Sequence, residues 1–402
     1  NWATQGGTVI VGAKSPRVIT GLSNGQTYSF TINGRKDGGP GGEGAPTQVA
    51  VPQFAGANWS LGHEPVGAEK VVIPAGCPNY PVLPNNLGIG YNSGYSDLCY
   101  ELTVAQGASL TINGYDLACA GIITNDGIIY VGDDLILNSG GVLNLNASGT
   151  VYTGYSDGFH GYMAMNSGSS VNQTGGSLYA EELQLYSGSQ YTATAGYFHI
   201  YKQGTASANQ NILIDDPDNQ FYYFFIDTLI QAYLNNCTSD LNVSYITRIS
   251  GKLSLGSYTI HSYMMNVFGE LNIATGTLDI TQTGPIFYNT STLNMLGGTL
   301  TTNNSIWFNA GSNGNMTDGI LNIRRDLNNQ SAEFNPEGGR VRFYGDVLSQ
   351  LRGPTVFSTL EIDKDTGVVA LSYYPVHVAD SLIIRCGNLQ IQNSTLHVGA
   401  EN

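Results

Sequence analysis

The 402-residue chain is short of charge: Lys, Arg, Asp and Glu together make up only 11% of it. That is less than half of the roughly 25% common in soluble domains. Low charge often marks a membrane protein, yet no apolar run approaches the ~18 residues a spanning helix needs. The longest apolar patches, such as Phe221-Tyr-Tyr-Phe-Phe-Ile226, are short and aromatic, so no transmembrane segment is expected. Positive charge is scarcest of all. Fifteen Lys and Arg stand against 30 Asp and Glu, for a net charge of −15. A chain of that sign repels a phosphate backbone, which argues against nucleic acid as a partner. Cysteine is sparse too: Cys77, Cys99, Cys119, Cys237 and Cys386, with no C-x-x-C pair, so a zinc site has no support. Sustained 3.6-residue periodicity is missing as well, and the best helical window, Glu181-Glu-Leu-Gln-Leu185, reads better as a strand.

What fills the chain instead is glycine (52), tyrosine (25) and uncharged polar residues. Asn, Ser, Thr and Gln keep a surface wet without charge, as suits an exposed β-rich protein. The acidity serves solubility and is also compatible with Ca²⁺ uptake. Cys77 and Cys99 flank a Pro/Gly/Asn-rich stretch from Pro78 to Ser96, where a disulfide would close an otherwise loose loop. The odd cysteine count leaves at least one thiol free or bonded to another chain. The sequence opens at Asn1 without a signal-peptide pattern, which fits a processed or excised portion.

From residue 67 onward one phrase keeps returning: a small residue, Leu, any residue, Ile or Leu, then Gly, Ser or Asn. It appears as Ser109-Leu-Thr-Ile-Asn-Gly114, Val142-Leu-Asn-Leu-Asn146, Gly269-Glu-Leu-Asn-Ile273 and Gly319-Ile-Leu-Asn-Ile323. Its leucines Leu253, Leu271, Leu293 and Leu321 lie 18, 22 and 28 residues apart. A second short strand, led by Leu278 and Leu300, follows seven residues after Leu271 and Leu293. Period-2 alternation in strands of a few residues, punctuated by Gly and Asn, is β structure. Imperfect repetition near 20 residues marks a solenoid, in which each coil stacks on the next. Asn and Thr at turn positions can then stack into ladders. A β-propeller would need blades of about 40–50 residues, and the N-G and D-G turns do not recur on that spacing. The expectation is an all-β chain, a parallel β-helix over 67–402 on the order of 15 coils and about 70 Å long. The crossover rule makes it right-handed.

Residues 1–52 read differently, with 53–66 as a linker. Ile19-Thr-Gly-Leu-Ser-Asn-Gly-Gln-Thr-Tyr-Ser-Phe-Thr-Ile32 is a turn and an alternating strand, and Ala45-Pro-Thr-Gln-Val-Ala-Val-Pro52 a second strand. Leu22 followed by Tyr28 resembles the tyrosine corner of fibronectin type III domains. Only the C-terminal half of such a module is covered, a partial β-sandwich that cannot bury its own inner face. Asn58-Trp-Ser60, Val71-Val-Ile-Pro-Ala-Gly-Cys77 and Tyr80-Pro-Val-Leu83 form a second resemblance, together with Leu102–Ile112. They look like the opening of β-helical segments in large secreted proteins of the Bacteroidota. Val341-Arg-Phe-Tyr-Gly-Asp346, Leu351-Arg-Gly353, Phe357-Ser-Thr-Leu-Glu-Ile362 and Asp380-Ser-Leu-Ile-Ile384 resemble later coils of the same proteins. The resemblance implies an extracellular, cell-surface location, usually by type IX secretion, and is weak for biochemical role. The relatives it implies include adhesins, mosaic proteins and some enzymes with catalytic domains elsewhere. No C-terminal sorting domain is visible. The chain ends on a coil, Leu396-His-Val-Gly399, so the solenoid is expected to continue or to be capped by another subunit.

Chemistry is thin. Gly154-Tyr-Ser-Asp-Gly158 spells G-x-S-x-G, but a nucleophile elbow needs a helix after it, and a turn between coils is the better reading. The acidic clusters are Asp133-Asp134, the Asp215, Asp216 and Asp218 run, and Glu361 with Asp363 and Asp365. Arg324-Arg325 and Arg340 with Arg342 are the basic ones. A polysaccharide lyase or hydrolase would need such groups to converge on one cleft, and no convergence can be read from sequence. Asp215, Asp216 and Asp218 are the best Ca²⁺ candidates, because oxygen ligands in a turn suit a hard cation. Otherwise no cofactor is expected. Tyr197, Tyr201, Tyr222 and Tyr223 could expose rings as a platform for glycans or a partner protein. N-x-S/T sequons at Asn58, Asn146, Asn236 and Asn393 follow from composition. Thr228 and Ser381 sit in D-S/T-apolar motifs that bear O-glycans in Bacteroidota. The functional expectation is a structural or adhesive solenoid, able to form a filament by self-association or with neighbouring domains. A carbohydrate-binding or polysaccharide-cleaving β-helix is the alternative, and catalysis is the minority reading.

Overall fold

The computed structural model describes residues 35–36, 39–40, 65, 69–77, 79–90, 97–156, 160–203, 208–331, 334 and 336–399. The chain forms two units, 1–64 and 65–402. In the first, a two-residue pair of strands, Arg35–Lys36 and Gly39–Pro40, runs antiparallel; the rest of the fibronectin-like segment lies outside the described residues. The second unit is a parallel β-solenoid of about 14 turns with no helix among the described residues.

The lower turns carry three short strands each, and higher up longer strands, such as Ser170–Ala180 and Thr355–Ser372, bend across two positions, so the solenoid has three faces. A partial first turn (Lys70–Ile73, Val82–Leu83, Leu87–Ile89) is followed by Glu101–Val104, Ser109–Ile112 and Leu117–Cys119, and so on upward. Equivalent strands pair in parallel, for example Ile122↔Glu101 and Ile122↔Val142 on the first face. Alternation drives the winding: in Glu101–Val104 and its counterparts every second residue is buried. The core is therefore a set of apolar columns. One on the first face runs Ile260, Leu278, Leu300, Leu321, Val341, Leu360, all essentially inaccessible to solvent.

That column corrects the repeat spacing. Leu253, Leu271 and Leu293 stack on the third face, but the next residue in their column is Gly314, not Leu321. Leu321 belongs to the first face. The leucine phrase occurs on more than one face per coil, so its recurrence in sequence mixes two columns. The 28-residue gap dissolves into a regular step from Leu293 to Gly314. Gly314 is itself an exception with a reason: a Cβ there would lie 2.2 Å from the Phe334 ring. Phe334 occupies the room that leucine fills elsewhere, and it continues an aromatic stack from Phe287 and Phe308 at 4.8 and 4.0 Å.

The corners repeat as well. Gly140, Gly168 and Gly188, at φ of 84°, 79° and 81°, stack at the corner between the third and first faces. Gly140 N donates to Gly168 O, and Gly168 N to Gly188 O. Only glycine adopts that left-handed turn without strain. Asparagine ladders form at a turn, where Asn166 Nδ2 donates to Asn138 Oδ1, and, beyond what was expected, within strands: Asn172 Nδ2 donates to Asn144 Oδ1, Asn294 to Asn272, and Asn315 to Asn294, at 2.8–3.0 Å. Two buried amides are satisfied in the same way. Gln173 accepts from Tyr191 Oη and donates to Tyr197 O, and Asn125 donates to Thr150 O.

Candidate functional site

Function on a solenoid resides where outward side chains of successive coils line up. The second face carries the clearest such column. Thr111, Tyr130, Tyr152, Tyr179, His199, Phe225, Arg248 and Asn266 are register partners from one coil to the next. Tyr130–Tyr152, Tyr152–Tyr179 and Tyr179–His199 stack at 5.4, 4.6 and 4.3 Å with nearly parallel planes. The Arg248 guanidinium lies over Phe225. In such a stack each ring face is covered by its neighbour, and the faces are not free for a ligand. Ring edges and hydroxyls remain to meet water.

Three of the four tyrosines expected to form a platform, Tyr197, Tyr222 and Tyr223, meet in one ring cluster, and the fourth lies apart. Tyr197 stacks on Tyr223 at 4.7 Å, beside the main column. Tyr222 meets Tyr223 edge-on at 5.0 Å and stacks on Tyr245 at 5.1 Å. Tyr201 lies at the opposite edge, its ring edge-on to Tyr179 and its hydroxyl donating to Thr153 O at 2.7 Å.

Tyr201 borders a corner where charge gathers between the second and third faces. One carboxylate oxygen each of Asp116, Asp133 and Asp134 lie within 4.8 Å of one another. These three come from turns of consecutive coils, so Asp116 joins the Asp133-Asp134 pair only through stacking. Burial pushes the Asp134 carboxyl up to about 7, against the N–H of Tyr162, with Asp133 and Asp116 adding to the rise. Burial raises Asp133 also. His160 sits nearby, its Nε2 2.9 Å from Gln210 Oε1 and 3.8 Å from Glu182. Glu181, 1% exposed, pairs with Lys202 at 3.1 Å. Acid, imidazole and amine thus share one corner.

The raised carboxyl has a measurable consequence. Between about pH 4 and 7 the folded chain keeps a proton on Asp134 that the unfolded chain has released, so this group subtracts stability as pH rises through that window. Asp134→Asn is expected to stabilise the chain at pH 8 by about 1–2 kcal/mol, discounted for partial solvent exposure, and to change little at pH 4. Denaturant midpoints at both pH values check this; equal shifts at both would refute it.

The other expected site residues are dispersed. Asp215 Oδ1 accepts from both Thr238 N and Thr238 Oγ1 of the next coil. Asp216 is buried and accepts from Asp218 N, and burial raises its pKa. The Asp215 and Asp216 carboxylates thus accept hydrogen bonds at the turn, to which Asp218 contributes its backbone N–H. Cys77 and Cys99 are both free thiols, which corrects the disulfide expectation. Cys77 lies in the turn after a first-face strand, its thiol on Pro74 O, whereas Cys99 is buried on the third face, beside Ile89. Burial pushes the Cys99 thiol up to about 12, and the Cys119 thiol likewise. Thr228 is exposed and Ser381 half-buried. Gly154-Tyr-Ser156 is a bend between coils and no helix follows it among the described residues.

The separate acidic and basic clusters at the C-terminal end prove to be one. Glu361, its side chain 2% exposed, lies among Arg340, Arg342 and Arg385 on the outer first face. Arg342 also pairs with Asp363, whose carboxyl it holds below the ordinary range. Sequence reading missed Lys364, which is fully buried and donates to Arg324 O and Tyr344 O at 2.6 and 2.8 Å. Burial brings its pKa down to about 8. The sequence matches no protein-family model and no curated protein.

Proposed function

We propose that the chain is a structural and adhesive rod of a bacterial cell surface, not an enzyme. The observation that supports this reading is the continuity of its outward ladders. Stacked Tyr rings, Asn amides and Arg–Glu pairs tie each coil to its neighbours on the solvent side, while apolar columns tie them within. Coupling of that kind on both sides stiffens a one-dimensional stack. It holds whatever the faces bind at a fixed distance from an anchor. The last described turn leaves its core positions Ile384, Ile391 and Val398 51–55% exposed. Partners in this reading are neighbouring domains or further copies docking on those strands.

Negative-stain microscopy of the chain is expected to show rods about 70 Å long, from about 14 coils at ~4.8 Å each, with longer end-to-end particles at high concentration. Compact particles would overturn the rod, and rods that stay single at high concentration would overturn the stacking. Incubation with a polysaccharide panel is expected to leave every chain intact. Turnover at any of them would establish the enzymatic alternative, with the Asp134 corner as its first suspect.

A further inference from the structure

The outward column on the second face does not end at Asn266. It continues through Ile286, Trp307, Asn328, Arg352, Ser372 and Gln392. Its character changes there. In the first half of the column large rings follow one another and close ranks. In the second half a single indole is followed by polar side chains without rings, and the surface dips. The result is an open groove of about 690 Å³, floored by this column and walled by Gly353, Pro354, Tyr373 and Tyr374. That volume is in the range of small-molecule sites.

Three features show that the groove is equipped to bind. First, its rings are free: none of Trp307, Tyr373 and Tyr374 stacks on another ring among the described residues, whereas the tyrosines of the first half do. Tyr373 stands 76% exposed with φ of 69°, a left-handed backbone that a bulky residue adopts only under strain. Second, Asn328 is 6% exposed, and its Nδ2 has no acceptor, a cost that a ligand oxygen would relieve. Third, Arg352 is the one charged residue lining the groove among the described residues. Gln350 Oε1 receives its Nε and Nη2, and Asn328 Oδ1 its Nη1 at 3.3 Å. The guanidinium is thus held in place with two of its five N–H donors unspent. Asp326, at 4.0 Å, is too distant to take them as hydrogen bonds.

We propose that this groove is a binding site for a sugar unit carrying a carboxylate, of the uronate or sialate kind. The free aromatic faces take the apolar face of the pyranose ring. The amides of Asn328, Gln350 and Gln392 take hydroxyls, and Arg352 takes the carboxylate. On a chain of net charge −15, this guanidinium, held by amides with its nearest carboxylate, Asp326, at 4.0 Å, selects an anion locally while the rest of the surface repels long polyanions. Short acidic units or chain ends are therefore the ligand. The site gives the rod a specific grip; it does not depend on the rod's location.

The test uses the 402-residue chain with trigalacturonate, N-acetylneuraminate, the methyl ester of trigalacturonate and a triglutamate peptide. Titration calorimetry and tryptophan fluorescence are the readouts. At least one acidic sugar is expected to bind and to perturb the fluorescence of Trp307, with Trp307→Phe abolishing the perturbation. The ester and the Arg352→Met variant should each weaken binding about 10- to 100-fold. Tyr373→Gly removes a ring while relieving the left-handed strain, so affinity should fall while the unfolding midpoint stays level or rises. This variant separates loss of binding from loss of fold. The assignment is overturned if neither acidic sugar binds, if acid and ester bind alike, or if triglutamate binds as tightly as the sugar.

Discussion

Phe308→Ala is expected to cost about 3–5 kcal/mol, the upper end of what truncating a single core side chain removes. Phe308 is wholly buried and stacked between Phe287 and Phe334, with centroids at 4.8 and 4.0 Å. Its removal opens a cavity that its neighbours cannot close. Phe334 is already committed over Gly314, where a Cβ would lie 2.2 Å from its ring. Asn329 holds the Phe334 carbonyl and the Pro354 carbonyl from the next coil, the latter at 2.7 Å. Urea denaturation should show the loss as a lower midpoint. In a nearest-neighbour stack it should be accompanied by local opening, read as faster hydrogen exchange in the strands at Phe287, Phe308 and Asn329 before distant coils. Val72→Thr, on a residue 59% exposed, serves as the neutral comparison. A loss below about 1 kcal/mol for Phe308→Ala would show that the stack is not what holds these coils.

The architecture was legible because alternation and repetition are local signals. Leu102, Leu110 and Leu143 announce inward positions through period-2 neighbours, and the Asn ladders follow from asparagines that recur once per coil. What the sequence could not show was which face a given phrase occupies. Leu293 and Leu321 carry the same phrase on different faces because coil length varies by several residues. The same uncertainty hid the functional geometry. Asp116 is separated from Asp133 by one coil, and Trp307 from Arg352 by two, so neither grouping exists before register is known. Four tyrosines were singled out for density, but stacking decides availability. Tyr197 is stacked on Tyr223 and Tyr222 on Tyr245, while Trp307, from a less aromatic stretch, has no ring against it among the described residues. The sequence signal for the groove was there in Tyr373-Tyr374-Pro375, an aromatic pair at a turn, but aromatic counts favour runs.

The Glu361 cluster supplies the second large effect and the clearest case of register creating an interaction. Arg342 pairs with Glu361 in register, and Arg340 approaches the same carboxylate from the residue two positions earlier. Such diagonal neighbours interact across strands in the way direct partners do. The Arg340 Nη1 to Glu361 Oε2 distance is 2.7 Å, an ion pair without hydrogen-bond geometry, while Arg385 Nε donates to Oε1. Glu361, 2% exposed, is therefore the carboxylate shared by three guanidiniums that are 38–55% exposed, of which only Arg342 has a second carboxylate partner, Asp363, among the described residues. Glu361→Ala leaves those charges facing one another on a single patch. The expected loss is about 2–3 kcal/mol, below the 3–5 of a fully buried pair because the arginines can rehydrate. Glu361→Gln keeps the size and restores acceptors, so it should recover part of the loss but not the charge term. Adding Arg385→Ala to Glu361→Ala should be milder than the sum of the two single changes, since one source of repulsion goes with it. Urea midpoints of the four proteins check the cycle. Strict additivity would mean that Glu361 acts through packing alone, and the ladder of charges on this face would then contribute nothing to the stiffness proposed for the rod.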